Sequence, residues 1–327
     1  MYVYNKRKIM KDNSLVIVGN TELSETSQRV ETLITSFLNS QDVKPSSKAL
    51  YKRTLAQYFN WIDKNKLNLN SLTRADIVNY KQELLNSGMS SLTVSSYLSV
   101  VRKFYEYAEA NKIYPNIARG IKTPRRKQQF KKQSLTDLQA KELLDYYRSL
   151  QAEAYRDYAI INLLLRTGLR TVELIRANIE DITFKEGKRV LLIQGKGRDE
   201  KDNFVILTDK AFNPIEDYLK SRGAYKIKEP LFTSSSNNNK GGRLTTRAIS
   251  KIAKEGLKAI GINDRCITAH SLRHTTACSL IRKGVSLEYI QGVLRHSNPA
   301  TTQIYLNSVA EEQRLKQNTE AVLDEAF

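Results

Sequence analysis

Between residues 118 and 133 the chain carries Arg119, Lys122, Arg125, Arg126, Lys127, Lys131 and Lys132, no acidic residue, and the breakers Gly120 and Pro124. Seven cations without acidic partners cannot be desolvated together inside a core, and Pro and Gly interrupt regular structure. The segment therefore divides the chain, and whatever folds on either side must close a core of its own. The 327 residues leave ordinary domain lengths on both flanks. The expected division is an N-terminal lead over 1–26, a helical domain over 27–117, a basic linker over 118–133, a mixed domain over 134–307 and a tail over 308–327.

Charge points to the partner. Lys and Arg number 53 against 34 Asp and Glu, a formal net charge of +19, and more than a third of that excess sits in the linker. Such a balance asks for a polyanion, and two domains joined by a cationic strap suit a protein that closes around double-stranded DNA. A hydrophobic content of 40% with only six prolines excludes a collagen-like or wholly disordered chain. No apolar run approaches the roughly 18 residues that span a bilayer, and the opening Met1-Tyr2-Val3-Tyr4 does not begin a signal peptide. No membrane association and a cytoplasmic location are expected. Cys266 and Cys278 are too few for a disulfide framework.

Apolar periodicity predicts the elements. Val30, Leu33, Ile34, Phe37 and Leu38 recur at helical spacing; a second helix, capped by Ser46 or Ser47, runs through Leu50, Leu55, Tyr58, Phe59 and Trp61. A third starts at Thr73 and a fourth near Ser91, which makes a four-helix bundle with an aromatic core. Lys48, Lys52 and Arg53, on the polar side of the second helix, are candidate DNA contacts. Beyond the linker, helices are expected at 134–150 and 155–166, then two strands at 190–193 and 204–207 around the turn Gly195-Lys196-Gly197-Arg198. Helical patterns return at 208–222, 245–260, 271–283 and 286–295 and after Ala300. The expected fold is mainly α with a small β-sheet.

All three histidines, His270, His274 and His296, fall within 27 residues. Cys266, His270, His274 and Cys278 are spaced four apart, but on a helix the outer sulfurs would be roughly 18 Å apart, too far to share a zinc ion. No metal is expected. Four boxes occur in order instead: Thr167-Gly168-Leu169-Arg170-Thr171-Val172-Glu173-Leu174; Gly195-Lys196-Gly197; His270-Ser271-Leu272-Arg273-His274-Thr275; and Leu294-Arg295-His296-Ser297 followed by Thr301-Thr302-Gln303-Ile304-Tyr305.

This arrangement resembles the tyrosine recombinase (phage integrase) family over the whole second domain, and the helical first domain looks like that family's core-binding domain. The resemblance implies a catalytic set of Arg170, Lys196, His270, Arg273, His296 and Tyr305. Arg170 and Arg273 would clamp the non-bridging phosphate oxygens, Tyr305 would supply the nucleophile, and His270 would assist removal of its proton. Lys196 would protonate the departing 5′ oxygen, and His296 would donate a hydrogen bond to the phosphate. Glu173 would orient the cluster. Arg295 stands where the family usually has Gly, and such a cation would contact DNA or alter the packing of its turn.

Arg125, Arg126 and Lys127 in the linker, with Arg243, Thr245, Thr246 and Arg247 near the site, are further candidate DNA contacts. A covalent phosphotyrosine would conserve the bond energy, so ATP is not needed; with two arginines and a lysine neutralising charge a divalent metal is dispensable, and no cofactor is expected. The resemblance implies a C-shaped clamp, a homo-tetramer on two DNA sites, no separate N-terminal arm-binding domain in 1–26, and a tail that docks on the neighbouring protomer. Mobile-element integration or excision is the favoured setting over inversion or dimer resolution. A type IB topoisomerase-like nicking enzyme and a catalytically idle DNA-binding regulator are the alternatives.

Overall fold

The structure, a computed structural model, describes residues 21–124, 133–195, 198–317 and 321–324, without the side chains of 21–27, 152–153 and 322–323. The chain forms two compact units, Met1–Gln128 and Gln129–Phe327.

In the first unit four helices pack together: α1 (Thr21–Ser40), α2 (Pro45–Lys64), α3 (Arg74–Asn86) and α4 (Ser91–Ala110). Two of the starts differ from expectation. α1 begins six residues before residue 27, in a stretch whose composition carries little apolar periodicity. α2 begins at Pro45 rather than after a Ser46 or Ser47 cap, because proline at the first helical position has its φ pre-set and lacks only an N–H that would be unpaired there. Thr73 and Asp76 form a capping box on α3, and the Ser90 hydroxyl accepts from the Thr93 N–H at the head of α4.

The core joins Phe37, Tyr58, Trp61, Tyr80, Phe104 and Tyr105, all buried. The aromatics are therefore core. Trp61 Nε1 donates to Glu83 at 2.7 Å and the Tyr58 and Tyr105 hydroxyls lie 2.9 Å apart, so the polar ends of the buried rings are satisfied. Lys52 and Arg53 are exposed on α2 and Lys48 is half-buried.

Part of the segment read as linker belongs to this unit. Ala118 and Ile121 are buried in its core, Arg119 pairs with Glu109 at 2.6 Å, and Arg102 reaches the Ile121 carbonyl. The charge run masked these two small contributions to apolar burial. Arg125, Arg126 and Lys127 lie outside the described residues.

The second unit is mixed. α5 (Asp137–Ser149), α6 (Tyr155–Thr167) and α7 (Thr171–Arg176) precede an antiparallel sheet in the order β1 (Ile182–Lys185), β2 (Lys188–Ile193), β3 (Asn203–Ile206). Then follow α8 (Asp209–Arg222), α9 (Thr246–Ala259), α10 (Ala269–Arg282), α11 (Leu287–Leu294), α12 (Pro299–Gln317) and the short α13 (Ala321–Asp324). No described helix is long and apolar enough to cross a membrane.

α7 and β1 were not anticipated. β1 is four residues long and joins β2 through Glu186 and Gly187, both at positive φ. That is the backbone of a tight two-residue hairpin, made without the Asn-Gly or Asp-Gly pair that signals one.

The main core gathers Leu135, Leu143, Ile160, Ile161, Leu163, Leu191, Ile215, Ile249 and Leu272, among others. A separate apolar cluster of Ala277, Cys278, Ile290, Leu294, Tyr305 and Val309 lies between α10, α11 and α12. No break occurs at 307/308. α12 runs on to Gln317, and Glu312 pairs with Arg282 of α10 at 2.7 Å. The first part of the expected tail thus packs on its own unit, whereas Leu315 is exposed.

Candidate active site

The first box sits where one helix ends and another begins. Gly168 closes α6 with a left-handed φ of 60°. A Cβ there would lie 2.8 Å from Leu294 Cδ2, so glycine suits both the turn and the close approach of the first residue of the fourth box. Two residues on, Arg170 occupies the N-cap of α7. Its N–H donates to Glu173 Oε2 at 2.8 Å and its Nη1 donates to Oε1 at 2.6 Å. The carboxylate thus serves as a capping-box partner for the backbone and an anchor for the guanidinium at once.

Glu173 is buried, and burial pushes its pKa up. The charge of Arg295 and the bonds and charge of Arg170 outweigh this and hold the carboxylate below its usual range.

Arg273 is 1% exposed. Its Nη1 donates to the Gly168 carbonyl at 2.6 Å and its Nη2 to the Leu294 carbonyl. Both acceptors are C-terminal carbonyls, of α6 and α11, and the negative helix ends favour a cation between them. Burial, with Arg170 and Arg295 nearby, draws the Arg273 pKa down to about 10, and it remains protonated at neutral pH.

His296 follows the turn after α11, and its Nδ1 lies 2.8 Å from Thr302 Oγ1 of α12. Burial first, then the charges of Arg273, Arg170 and Arg295, draw its pKa down to about 4, so the imidazole is neutral at pH 7. In the unfolded chain it would titrate near 6.5. Between these values the unfolded state binds the extra proton, so native stability falls as pH drops from about 6.5 to about 4. The expected loss is about 2 kcal/mol once residual solvent screening is allowed for. Denaturant titrations at pH 7.5 and 5 should show it, and His296→Gln should flatten that difference. Glu173 adds its own loss only at lower pH, as its depressed pKa is crossed.

Tyr305 is 3% exposed on α12. Its ring stacks beside His296, with centroids 6.0 Å apart, and meets His274 edge-on at 4.9 Å. Burial raises the phenol pKa, opposed by the charge and hydrogen bond of Arg273. A buried neutral phenol is a poor nucleophile until a base takes its proton.

His270 is exposed in the first turn of α10, which starts two residues earlier than its apolar pattern suggested. Its ring meets His274 at 4.9 Å, so His274 stands between His270 and Tyr305. The spacing of four along α10 could have flagged this contact, since such residues share a helix face.

Lys196 lies outside the described residues, but both feet of its turn are held. Arg176 of α7 donates to the Gly195 carbonyl at 3.1 Å, and Gln194 donates to the carbonyls of Arg198 and Asp199. Lys201 pairs with the buried Asp181 at 2.6 Å.

The remaining candidates divide. Arg243 is committed internally: its guanidinium donates to the Ile175 and Ala177 carbonyls and to Asn178 Oδ1. It ties α7 to the segment before α9, a role that a basic residue in a Gly-rich loop does not announce. The Thr245 hydroxyl caps α9 by accepting from the Ala248 N–H, while Thr246 and Arg247 are exposed in its first turn. Among the described residues no three His, Cys, Asp or Glu side chains gather as a metal-binding group.

Of the two roles the sequence left open for Arg295, contact with DNA or a change in the packing of its turn, the geometry is in line with the second. Arg295 Nη2 donates to Glu173 Oε2 at 2.8 Å and its Nη1 to the Val293 carbonyl at 2.6 Å. It is an internal strut rather than an outward cation.

Comparison with known proteins agrees with this architecture. The profile of the phage integrase family matches residues 133–312, and that of the phage integrase N-terminal SAM-like domain matches residues 35–112. A tyrosine recombinase XerC of Thermodesulfovibrio yellowstonii is 32% identical over 283 residues, 83% of this chain and 90% of the relative. A tyrosine recombinase XerD of Staphylococcus epidermidis is 28% identical over 84% of this chain and 94% of its own. In fold, the chain is similar to the XerH site-specific recombinase bound to palindromic difH, with a TM-score of 0.71, 20% identity, and 90% of this chain and 86% of that one covered. It is also similar to the Tn1549 transposon integrase in complex with transposon right-end DNA, with a TM-score of 0.63, 17% identity, and 88% and 98% covered. A helical SAM-like unit, a catalytic unit with the four boxes, and relatives matched along most of their length make this chain a member of the phage integrase family, a tyrosine site-specific recombinase.

Proposed function

We propose that the protein cuts and rejoins duplex DNA through a covalent 3′-phosphotyrosine at Tyr305. The observation that carries this is the convergence, in one cluster of the second unit, of Tyr305, Arg273, His296 and the Arg170–Glu173 pair, drawn from four separate elements.

A scissile phosphate seated there is clamped on its non-bridging oxygens by Arg170 and Arg273, and His296 donates to it. The incoming anion offsets the cations that suppress His296 protonation. The Tyr305 oxygen attacks phosphorus, its proton passes toward His270, and the bond from phosphorus to the 5′ oxygen breaks as Lys196 supplies that oxygen with a proton. Attack by a 5′-hydroxyl on the phosphotyrosine reverses the steps and rejoins strands without ATP.

Arg125, Arg126 and Lys127, with Lys48, Lys52, Arg53 and Arg247, supply cationic contacts to the duplex backbone. Four protomers act on two DNA sites, in the cytoplasm. In that assembly the C-terminal tail docks on a neighbouring protomer from the exposed Leu315 onward, while Val309 and Glu312 anchor the earlier part of α12 in its own unit.

Mobile-element excision and integration is one setting; the XerC and XerD names of the relatives favour a second, resolution of duplicated sites on one circle. Excision and resolution both delete the DNA between direct repeats. A plasmid with two directly repeated sites should therefore be resolved, where a topoisomerase-like enzyme would relax a one-site plasmid instead.

Lys196 gives the sharpest chemical test. Lys196→Ala should slow covalent capture on a nicked suicide substrate by about 10²-fold or more. A 5′-bridging sulfur, a better leaving group, should restore most of the rate. Equal defects on oxygen and sulfur substrates would make Lys196 a phosphate contact rather than the acid.

A further inference from the structure

Among the described residues, Glu173 is the carboxylate paired with both Arg170 and Arg295, and it is shared. Oε1 accepts from Arg170 Nη1 alone, while Oε2 accepts from both the Arg170 N–H and Arg295 Nη2. The two arginines come from distant parts of the chain: Arg170 opens α7, and Arg295 forms the turn between α11 and His296. The Arg295 and Glu173 side chains are 9% and 1% exposed, so water does little to screen their pairing.

Backbone geometry points the same way. Arg295 has a φ of 55°, in the left-handed region that glycine occupies freely and a side chain occupies at a cost. The structure accepts that cost for a residue with both ends of its guanidinium fork committed, to Glu173 and to the Val293 carbonyl.

We propose that Arg295 is a positioning residue, which holds Oε2 of Glu173 so that Arg170 is retained through one guanidinium nitrogen only and keeps the rest of its fork for the scissile phosphate. Without Arg295, both carboxylate oxygens can take the Arg170 guanidinium bidentately, the geometry such pairs prefer. That would turn the clamp toward protein instead of DNA. The same strut fixes the turn from which His296 reaches Thr302, so both phosphate contacts are set by one buried bond. The proposal rests on the reading of Arg170 as a phosphate clamp.

The charged groups that face Glu173 are Arg170 on its own helix, Arg295 from the turn after α11, and Arg273 from α10. Burial opposes ionisation of Glu173, and Arg295 is foremost among the groups that maintain it. Removing Arg295 would therefore leave Arg170 as the only cation paired with the Glu173 carboxylate among the described residues.

The test is the rate of covalent capture of a nicked suicide duplex by the full chain. Arg295→Gly removes the strut but relaxes the turn, so the variant is expected to fold, and one-site binding on a native gel should stay within about twofold of wild type. Capture at pH 7.5 should slow by about 10²-fold, the effect of a misplaced clamp. Arg295→Lys, which keeps a charge for Glu173, should recover most of the rate. On a Glu173→Gln background, Arg295→Gly should cost far less than it does alone, because the competing carboxylate is gone. Wild-type rates in Arg295→Gly, or a loss that Lys does not rescue and that the Glu173→Gln background does not diminish, would overturn the proposal. Normal capture by Arg170→Ala would instead remove the clamp reading on which it rests.

Discussion

Tyr305→Phe leaves duplex binding within about twofold and abolishes covalent capture of DNA, a drop of at least about 10⁴-fold on the scale of losing a nucleophile. Only the hydroxyl is removed. The ring still fits between His274 and His296 and against Ala277, Cys278, Ile290, Leu294 and Val309, so the apolar cluster that holds α12 on α10 and α11 is retained. The melting temperature should shift by only a few degrees, since the variant forfeits one hydrogen bond with Arg273. Denaturing gels of a nicked suicide substrate, run beside a native gel shift, measure both quantities. A Phe variant that still traps DNA would transfer the nucleophile's role to another residue.

Arg273→Ala should fail in both folding and chemistry. The guanidinium is the donor for two buried helix-end carbonyls, Gly168 and Leu294. Truncation strands both acceptors, at about 1–3 kcal/mol each, and leaves a cavity in a place with 1% exposure. The expected loss of stability is about 3 kcal/mol, read by denaturant titration. Part of it is returned by relief of repulsion from Arg170 and Arg295. Capture should fall by about 10²- to 10³-fold through loss of a preplaced donor to the phosphate. Arg273→Lys should not rescue capture, because an ammonium cannot bridge two carbonyls and clamp a phosphate at once. Unchanged stability and capture in the Ala variant would refute both roles.

The four boxes were legible because each is local: a glycine ending a helix, a hairpin lysine, an i, i+3 pair on one helix, a histidine nine residues before a tyrosine. The helical bundle was legible through its aromatic stripe, and the basic run marked the region where one unit gives way to the other. α7 and β1 escaped because six and four residues are too short to display a period. The start of α1 escaped because its sequence has little apolar pattern to show. Ala118 and Ile121 escaped because the cations around them dominate the composition.

Residue chemistry and local spacing thus determined which groups are available and in what order: two arginines, a lysine, histidines and a tyrosine, with their charge in excess. Only the tertiary structure decided how they are used. Arg273 meets a carbonyl 105 residues away and Arg295 a carboxylate 122 residues away; Arg243, equally cationic, turned inward to Ile175, Ala177 and Asn178. Burial set the directions of the Glu173, His296 and Tyr305 shifts against the opposing charges. The physical reason is that desolvation and ion pairing depend on distances between side chains that no separation along the chain encodes, whereas helix periodicity, turn chemistry and net charge are properties of neighbouring residues.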